Sequence, residues 1–447
     1  MEQDLTTDSV FKRIVYFSLL YLLSYFLQTL YGMGDLFITG QFYGVDTITA
    51  VSNGSQIMHM MTVIIVGLAM GTTVTIGHSV GAKCMEQAEK IIGNTITLFM
   101  GIAVAFTVIL VVLVKPIVVL IATPQEAVAG TSIYLLICFI GIPFITAYNI
   151  ISSIFRGLGD SKSPMYFIGI ACVMNIALDY LFMGAFHMGA AGAALGTVCA
   201  QTFSVLVALW VIRRRKTGIS LKKSDFKIET AVIGQVLKIG IPVALQDGFI
   251  QVAFMIITVI ANSRGVSDAA AVGVVEKVIS ALFIVPSSML ATVSALSAQN
   301  LGAGKEKRAT DTLHYATVIT TIYGMIVAVL IQFIAENVVG IFTSDTTVVT
   351  MGSAYIRSYI WDCIFAGIHF SFSGYFAACG KSYIGFLHNI ISITFVRVPG
   401  SYLASKYFTD TLYPMGLAAP AGSLVSVAIC VTAFILLKRK SRVAQTA

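Results

Sequence analysis

Gly77-His78-Ser79-Val80-Gly81-Ala82-Lys83 closes one apolar run of this chain, and Ala298-Gln299-Asn300-Leu301-Gly302-Ala303-Gly304 closes another. The two lie about 221 residues apart, and a repeat of that length is a sign of a duplicated architecture. The register holds further on: Val119, Ile121 and Thr123 fall on Val339, Ile341 and Thr343, and Phe155, Gly159 and Ser161 fall on Phe376, Gly380 and Ser382. Such a long internal repeat in a membrane chain points to a transporter built from two similar halves.

Composition sets the class. Of 447 residues, 57% are hydrophobic and 11% charged, against about 25% charged in a soluble domain. Lipid must therefore solvate much of the surface. Apolar runs predict twelve helices, at about 11–40, 47–80, 91–115, 128–155, 164–184, 189–212, 235–262, 268–300, 310–335, 347–378, 384–407 and 413–437. Each is long enough to cross about 30 Å of hydrocarbon at about 1.5 Å per residue. The fold class expected is an all-α membrane protein, with two six-helix lobes related by a pseudo-two-fold axis along the membrane normal. The N-lobe takes residues 1–215, a polar interlobe loop 216–234, and the C-lobe 235–447.

Most of the 28 Lys and Arg fall on the N-terminal side of the predicted topology, including Lys83, Arg156, Arg213 to Lys216 and Lys438 to Arg442. Lys115, Arg264 and Lys406 fall on the other side. That bias places both termini in the cytoplasm of a multi-pass plasma (inner) membrane protein. It also accounts for the net charge of +7 without nucleic acid. Met1 to Asp8 is acidic, so no signal peptide is expected. The seven cysteines are scattered and read as small buried hydrophobes, with no metal or redox pairing. No cofactor is expected.

Ionisable residues inside a bilayer are expensive, about 2.5–3.5 kcal/mol each on insertion scales, so they are functional candidates by default. Asp35 lies near the outer end of the first run. Asp179 lies near the outer end of the fifth, with Asn175 one helical turn before it on the same face. Thr197 in the sixth run and Tyr134 in the fourth reach a similar depth. Together they offer two carboxylates, a carboxamide, a hydroxyl and a phenol. All are oxygen donors, suited to a hard cation such as sodium or to two acids sharing a proton. The bland reading is that Asp35 faces interfacial water. A second set, Asp247, Asp362 and Arg397, falls near mid-depth in the second half. It reads either as a substrate or second polar site or as a structural ion pair. Glu276 and Lys277 read as packing residues. His59, His369 and His388 read as interhelical hydrogen bonders before proton relays. Pro143, Pro242, Pro286 and Pro399 fall inside predicted helices and remove a backbone bond each.

Gly77-His78-Ser79-Val80-Gly81 fits the G-x-S-x-G pattern of a hydrolase elbow. The second copy has no serine at this place, which disfavours a membrane-embedded serine hydrolase. No nucleotide-binding loop, zinc motif or dinucleotide fingerprint is present.

The closing glycines of the second and eighth runs, the Arg156-Gly157-Leu158-Gly159-Asp160 turn, the aspartate of the first run and the Asn175-x-x-x-Asp179 pair together resemble the multidrug and toxic compound extrusion (MATE) family, prokaryotic branch. The resemblance covers about residues 10–440. It implies a cation-coupled antiporter, driven by Na+ or H+, that exports small organic compounds by alternating access and acts as a monomer among membrane lipids. It implies that the cation site lies at Asp35, Asn175, Asp179 and Thr197, with Tyr134 nearby. Asp362, and more loosely Asp247, match acidic positions of the family's second lobe. One departure is the absence of proline between Phe11 and Asp35, which puts a proton-driven bend of the first helix in doubt. The nearest alternative is a flippase of the same superfamily for lipid-linked oligosaccharide or lipid II; a non-transporting receptor is a third.

The duplication is not kept at the charges. At the repeat offset Asp35 faces Ile256, Asp179 faces Gly400, Asp362 faces Gly141, Asp247 faces Phe26 and Arg397 faces Ile176.

Overall fold

The computed structural model describes residues 4–214 and 220–446; among them every regular element is helical. Met1 to Gln3, Arg215 and Lys216 lie outside the described residues, as do the side chains of Lys440 and Arg442.

Each of the twelve predicted runs falls on a helical stretch. The first three are unbroken: α1 (Val10–Phe42), α2 (Val45–Gly81) and α3 (Met85–Leu120). The fourth is a pair, α4 (Val128–Ile140) and α5 (Ile142–Gly157), bent by 52°. Pro143 sits in the first turn of α5, where its missing N–H costs least. Next come α6 (Lys162–Asp179), which runs on into a π-helical turn at Tyr180–Ala185, and α7 (Gly189–Arg214). After the linker follow α8 (Thr230–Asn262), α9 (Val266–Leu282), α10 (Ile284–Gly302) and α11 (Glu306–Gly340). The last three runs are α12 (Thr346–Tyr359) with α13 (Asp362–Ala378); α14 (Tyr383–Ser392) with a π turn at Ile393–Arg397 and α15 (Val398–Tyr407); and α16 (Tyr413–Gly416) with α17 (Ala418–Thr446).

Among the described residues nine of these stretches are long and apolar enough to span a membrane, or ten counting the bent pair. The other two, 346–378 and 383–407, are assembled from shorter helices. The first breaks after Tyr359 and the second is wound through a π turn. These carry Asp362 and Arg397. Of the four flagged prolines, Pro143 and Pro399 open new helices and Pro286 lies in the first turn of α10. Pro242 stays inside the continuous α8.

The chain divides into two compact units. One is built from Leu19–Ala244 and Ala298–Gly304, with residues 4–7; the other from Leu245–Ser297 and Lys305 onward, with Asp8–Ser18.

In the first unit α2 crosses α8 on glycines. A Cβ at Gly71 would run into the Val236 carbonyl, one at Gly240 into the Leu68 carbonyl, and one at Gly67 would lie 2.7 Å from Ala244 Cα. The repeated motif packs likewise on its counterpart. A Cβ at Gly81 would strike the Gln299 carbonyl, and one at Gly302 the His78 carbonyl. Gln299 Nε2 donates to the Gly157 carbonyl at 2.9 Å. The motif thus serves close helix approach. Ser79 is buried and donates to the Thr75 carbonyl at 3.3 Å, as helical serines do.

The turn after α5 is kept in both copies because its backbone demands glycine. Gly159 has φ +92° and Gly380 φ +67°, a region where a side chain is strained. Asp160 then accepts from the Lys162 and Ser163 amides at 2.9 and 3.0 Å, opening α6. From residue 220 onward the linker docks on α3: Asn94 donates to the Asp225 carbonyl at 3.1 Å and accepts from the Glu229 amide at 2.7 Å.

In the second unit Arg264 staples a loop. Its Nε donates to Asp268 at 2.6 Å, and its Nη atoms to the Ser405, Phe408 and Thr409 carbonyls at 2.9, 3.0 and 2.9 Å. The guanidinium thereby satisfies carbonyls at and beyond the end of α15 that have no helical partner.

Candidate functional site

Four helices of the first unit carry the candidate cation-coupling residues: α1 holds Asp35, α4 Tyr134, α6 Asn175 and Asp179, and α7 Thr197. All five side chains are buried, Asn175 and Asp179 completely. Thr197 Oγ1 donates to Asp35 Oδ2 at 3.2 Å. Asp179, Asn175 and Thr197 are the immediate polar neighbours of the Asp35 carboxylate. Tyr134 faces Asp35 and the Thr197 hydroxyl.

Local structure explains the convergence. Asn175 and Asp179 are one turn apart at the end of α6, so both point the same way. Asp179 is the last α-helical residue before the π turn Tyr180–Ala185, a feature common at functional sites. The facing helix is bare at the contact: a Cβ on Gly196 would collide with Asp179 Oδ1 and lie 3.5 Å from Asn175 Nδ2. Gly54 does the same for Tyr134, whose Cε1 would lie 2.8 Å from a Cβ there.

Asp35 Oδ1, both Asp179 carboxylate oxygens and both amide atoms of Asn175 are buried with no hydrogen-bond partner among the described residues. Buried polar atoms are normally satisfied, and orphaned ones call for an explanation. Two adjacent carboxylates with four unsatisfied oxygens, counting that of Asn175, fit a hard monovalent cation or an added proton.

Tyr31 was not singled out by sequence reading, yet it belongs here. It sits one turn before Asp35 on α1, with Thr197, Asp35 and Asp179 as neighbours, and its hydroxyl is buried without a partner. The i, i+4 spacing to Asp35 was the available signal.

The second unit holds a different cluster. Arg397 closes the π turn Ile393–Arg397. Its Nη2 donates to the Tyr359 hydroxyl, and its guanidinium lies 5.0 Å from the Phe254 ring centroid and 5.5 Å from that of Tyr359. Asp362 and Glu276 are its charged neighbours, but among the described residues no carboxylate stands within 4.0 Å of it. Asp362 is buried beside Ser423, with both oxygens unpartnered. Glu276 accepts from Thr258 Oγ1 at 3.3 Å.

The set expected from sequence was Asp247, Asp362 and Arg397. Asp362 and Arg397 are neighbours, but Asp247 is half-buried in α8 and is not among the groups acting on either. Glu276, read from sequence as a packing residue, is instead a charged neighbour of Arg397 and also bonds Thr258. Adjacent Lys277 is exposed, as expected for neighbours on a helix. His388 bonds Ser373 across α13 and α14 at 2.8 Å, and its ring lies 5.3 Å from that of His369. His59 is exposed on α2.

A MatE family model matches residues 21–181 and 242–403. The chain belongs to the MatE family, a family of membrane transporters. It is 29% identical over 415 residues to the probable multidrug resistance protein YpnP of Bacillus subtilis, covering 93% of each chain. It is 23% identical over 374 residues to the multidrug export protein MepA of Staphylococcus aureus, covering 83% of this chain and 82% of that one. Its fold matches a crystal structure of MATE in complex with MaL6 with a TM-score of 0.90 at 19% identity, over 99% of each chain. It also matches a MOP superfamily transporter from Pyrococcus furiosus with a TM-score of 0.89 at 19% identity, over 98% of this chain and 97% of that one. The fold is thus the twelve-helix fold of MATE transporters.

Proposed function

We propose that this protein is a sodium- or proton-coupled antiporter that exports small organic compounds, cationic and amphipathic ones among them, across the plasma (inner) membrane. The observation that carries the reading is the buried Asp35–Asp179 pair with its unsatisfied oxygens. The names of the relatives, multidrug resistance and multidrug export proteins, support the cargo class.

Two neighbouring buried carboxylates cannot both stay ionised cheaply. A sodium ion held by Asp35, Asn175, Asp179 and Thr197, or a proton shared by the two acids, lowers that cost. Release of the ion restores it. A site whose electrostatic energy changes by several kcal/mol between its loaded and empty forms can bias which way the protein faces. The two lobes, residues 1–215 and 235–447, are the parts that move, and the protein works as a monomer.

The test is efflux of a fluorescent organic cation from vesicles containing the purified protein, with a sodium or a proton gradient imposed separately. Export by the wild type under one gradient, lost in Asp35→Asn and Asp179→Asn, is the expected outcome. Equal gradient-driven export in all three would overturn the coupling assignment.

A further inference from the structure

We propose that Arg397 is the anion-recognising group of a ligand subsite in the second unit, and that this subsite takes aromatic zwitterions. The transport arm of this proposal rests on the export reading above; its binding arm does not.

An arginine inside a membrane-spanning unit is expected to be paired. Arg397 is not paired in that sense, since no carboxylate stands within 4.0 Å of it among the described residues. Its Nε is buried with no partner. Instead the guanidinium is held by the Tyr359 hydroxyl and flanked by the Tyr359 and Phe254 rings. The fork is thereby fixed in orientation while donors remain unused, the arrangement that grips a planar carboxylate or similar anion through two hydrogen bonds.

Arg397, Phe254 and Glu276 are each half-exposed. Charges turned to hydrocarbon would cost about 2.5–3.5 kcal/mol apiece, so this rim faces a polar route. Gly422 lets α17 pack closely on this turn, since a Cβ there would lie 2.8 Å from Ser392 Oγ and 3.4 Å from Arg397 Cβ.

The neighbours settle the rest of the ligand. Phe254 offers a ring for an aromatic body. Glu276 and Asp362, beyond ion-pairing distance but electrostatically close, offer a place for a positive group. A simple cation meets Arg397, and a simple anion meets the two carboxylates. A zwitterion offers each its opposite charge, the anion to the guanidinium and the positive group to the carboxylates.

The experiment uses the purified full-length protein in detergent and two probes: a xanthene dye with a free carboxylate, which is zwitterionic, and its methyl ester, which is cationic. Binding is read by fluorescence polarisation. Arg397→Gln is expected to weaken the carboxylate dye about tenfold or more, the size of a lost charge-assisted pair, and to leave the ester within about twofold. Arg397→Lys, which keeps the charge and loses the fork, should fall between. Equal weakening of both dyes, no weakening of either, or no binding of the carboxylate dye to the wild type overturns the proposal. So does displacement of the dye by added anionic phospholipid at stoichiometric amounts, which would assign the guanidinium to a lipid headgroup. Should Arg397→Gln not fold, as judged by gel filtration, Tyr359→Phe serves in its place, with the same dye-selective loss expected at smaller size. If the wild type binds the carboxylate dye selectively but exports neither dye under any gradient, the export reading fails and the subsite stands.

Discussion

The Asp35–Asp179 site of the first unit and the Arg397 cluster of the second differ in how they handle charge. The first brings two carboxylates together among hydroxyl, amide and thiol neighbours, with no cationic side chain acting on them among the described residues. The second contains its own cation, set among two carboxylates and two aromatic rings. Under the reading proposed above, a site lacking a resident positive charge takes one from the coupling ion. A site that holds one already can meet ligands of mixed charge. The two copies share their turns and glycines and differ at the charges.

The largest effect should come from removing the borrowed charge's seat. Asp35→Asn or Asp179→Asn is expected to cut gradient-driven export by about a hundredfold or more, since each removes a charged ligand of a buried site. The loss should appear in vesicle efflux while gel filtration stays normal. If Asp362→Asn does as much and Asp35→Asn little, the comparison is reversed.

Next is the close approach that the first site needs. Gly196→Val would press on Asp179 Oδ1 and should lower export about tenfold, with a raised half-saturating concentration of the driving ion as the diagnostic, because a shift of about 1 Å in a site can cost that much. An unchanged ion dependence would show that Asp179 is not held against α7 for binding.

Tyr31→Phe removes an unpartnered buried hydroxyl beside Thr197 and Asp35 that is placed to bond a loaded ion or a protonated carboxyl, and should reduce export about three- to fivefold, the size of one such bond formed only in the loaded site. Asp247→Asn should change export by about threefold at most, because Asp247 acts on neither Arg397 nor Asp362. A larger effect than that of Glu276→Gln, measured side by side, would restore Asp247 to the second cluster. Smallest of all, Ser79→Ala should leave export within about twofold, its hydroxyl being spent on the Thr75 carbonyl, as an intrahelical bond of modest net value.

Much of the fold was legible because lipid leaves so few solutions. Apolar length fixed the twelve runs, and the φ-positive turns at Gly159 and Gly380 had to stay glycine in both copies. The breaks were less legible. Pro143 and Pro399 marked new helix starts, but the interruption between Tyr359 and Asp362 carries no proline. Likewise the π turn after Asp179 carries no proline, whereas the one at Ile393–Arg397 lies just before Pro399, which cannot donate to the carbonyl four residues back.

The sequence by itself determined the membrane class, the duplication, and the pairing of Asn175 with Asp179, since helical spacing alone puts them on one face. Only the tertiary structure decided which helices turn those faces to each other. It joined Tyr31 and Thr197 to Asp35, admitted Glu276 to the Arg397 cluster and left Asp247 outside it. The physical reason is that periodicity fixes a residue's azimuth on its own helix, whereas distance between helices depends on how closely they pack. In this chain that closeness is set by glycines such as Gly196, against Asp179, and Gly54, against Tyr134.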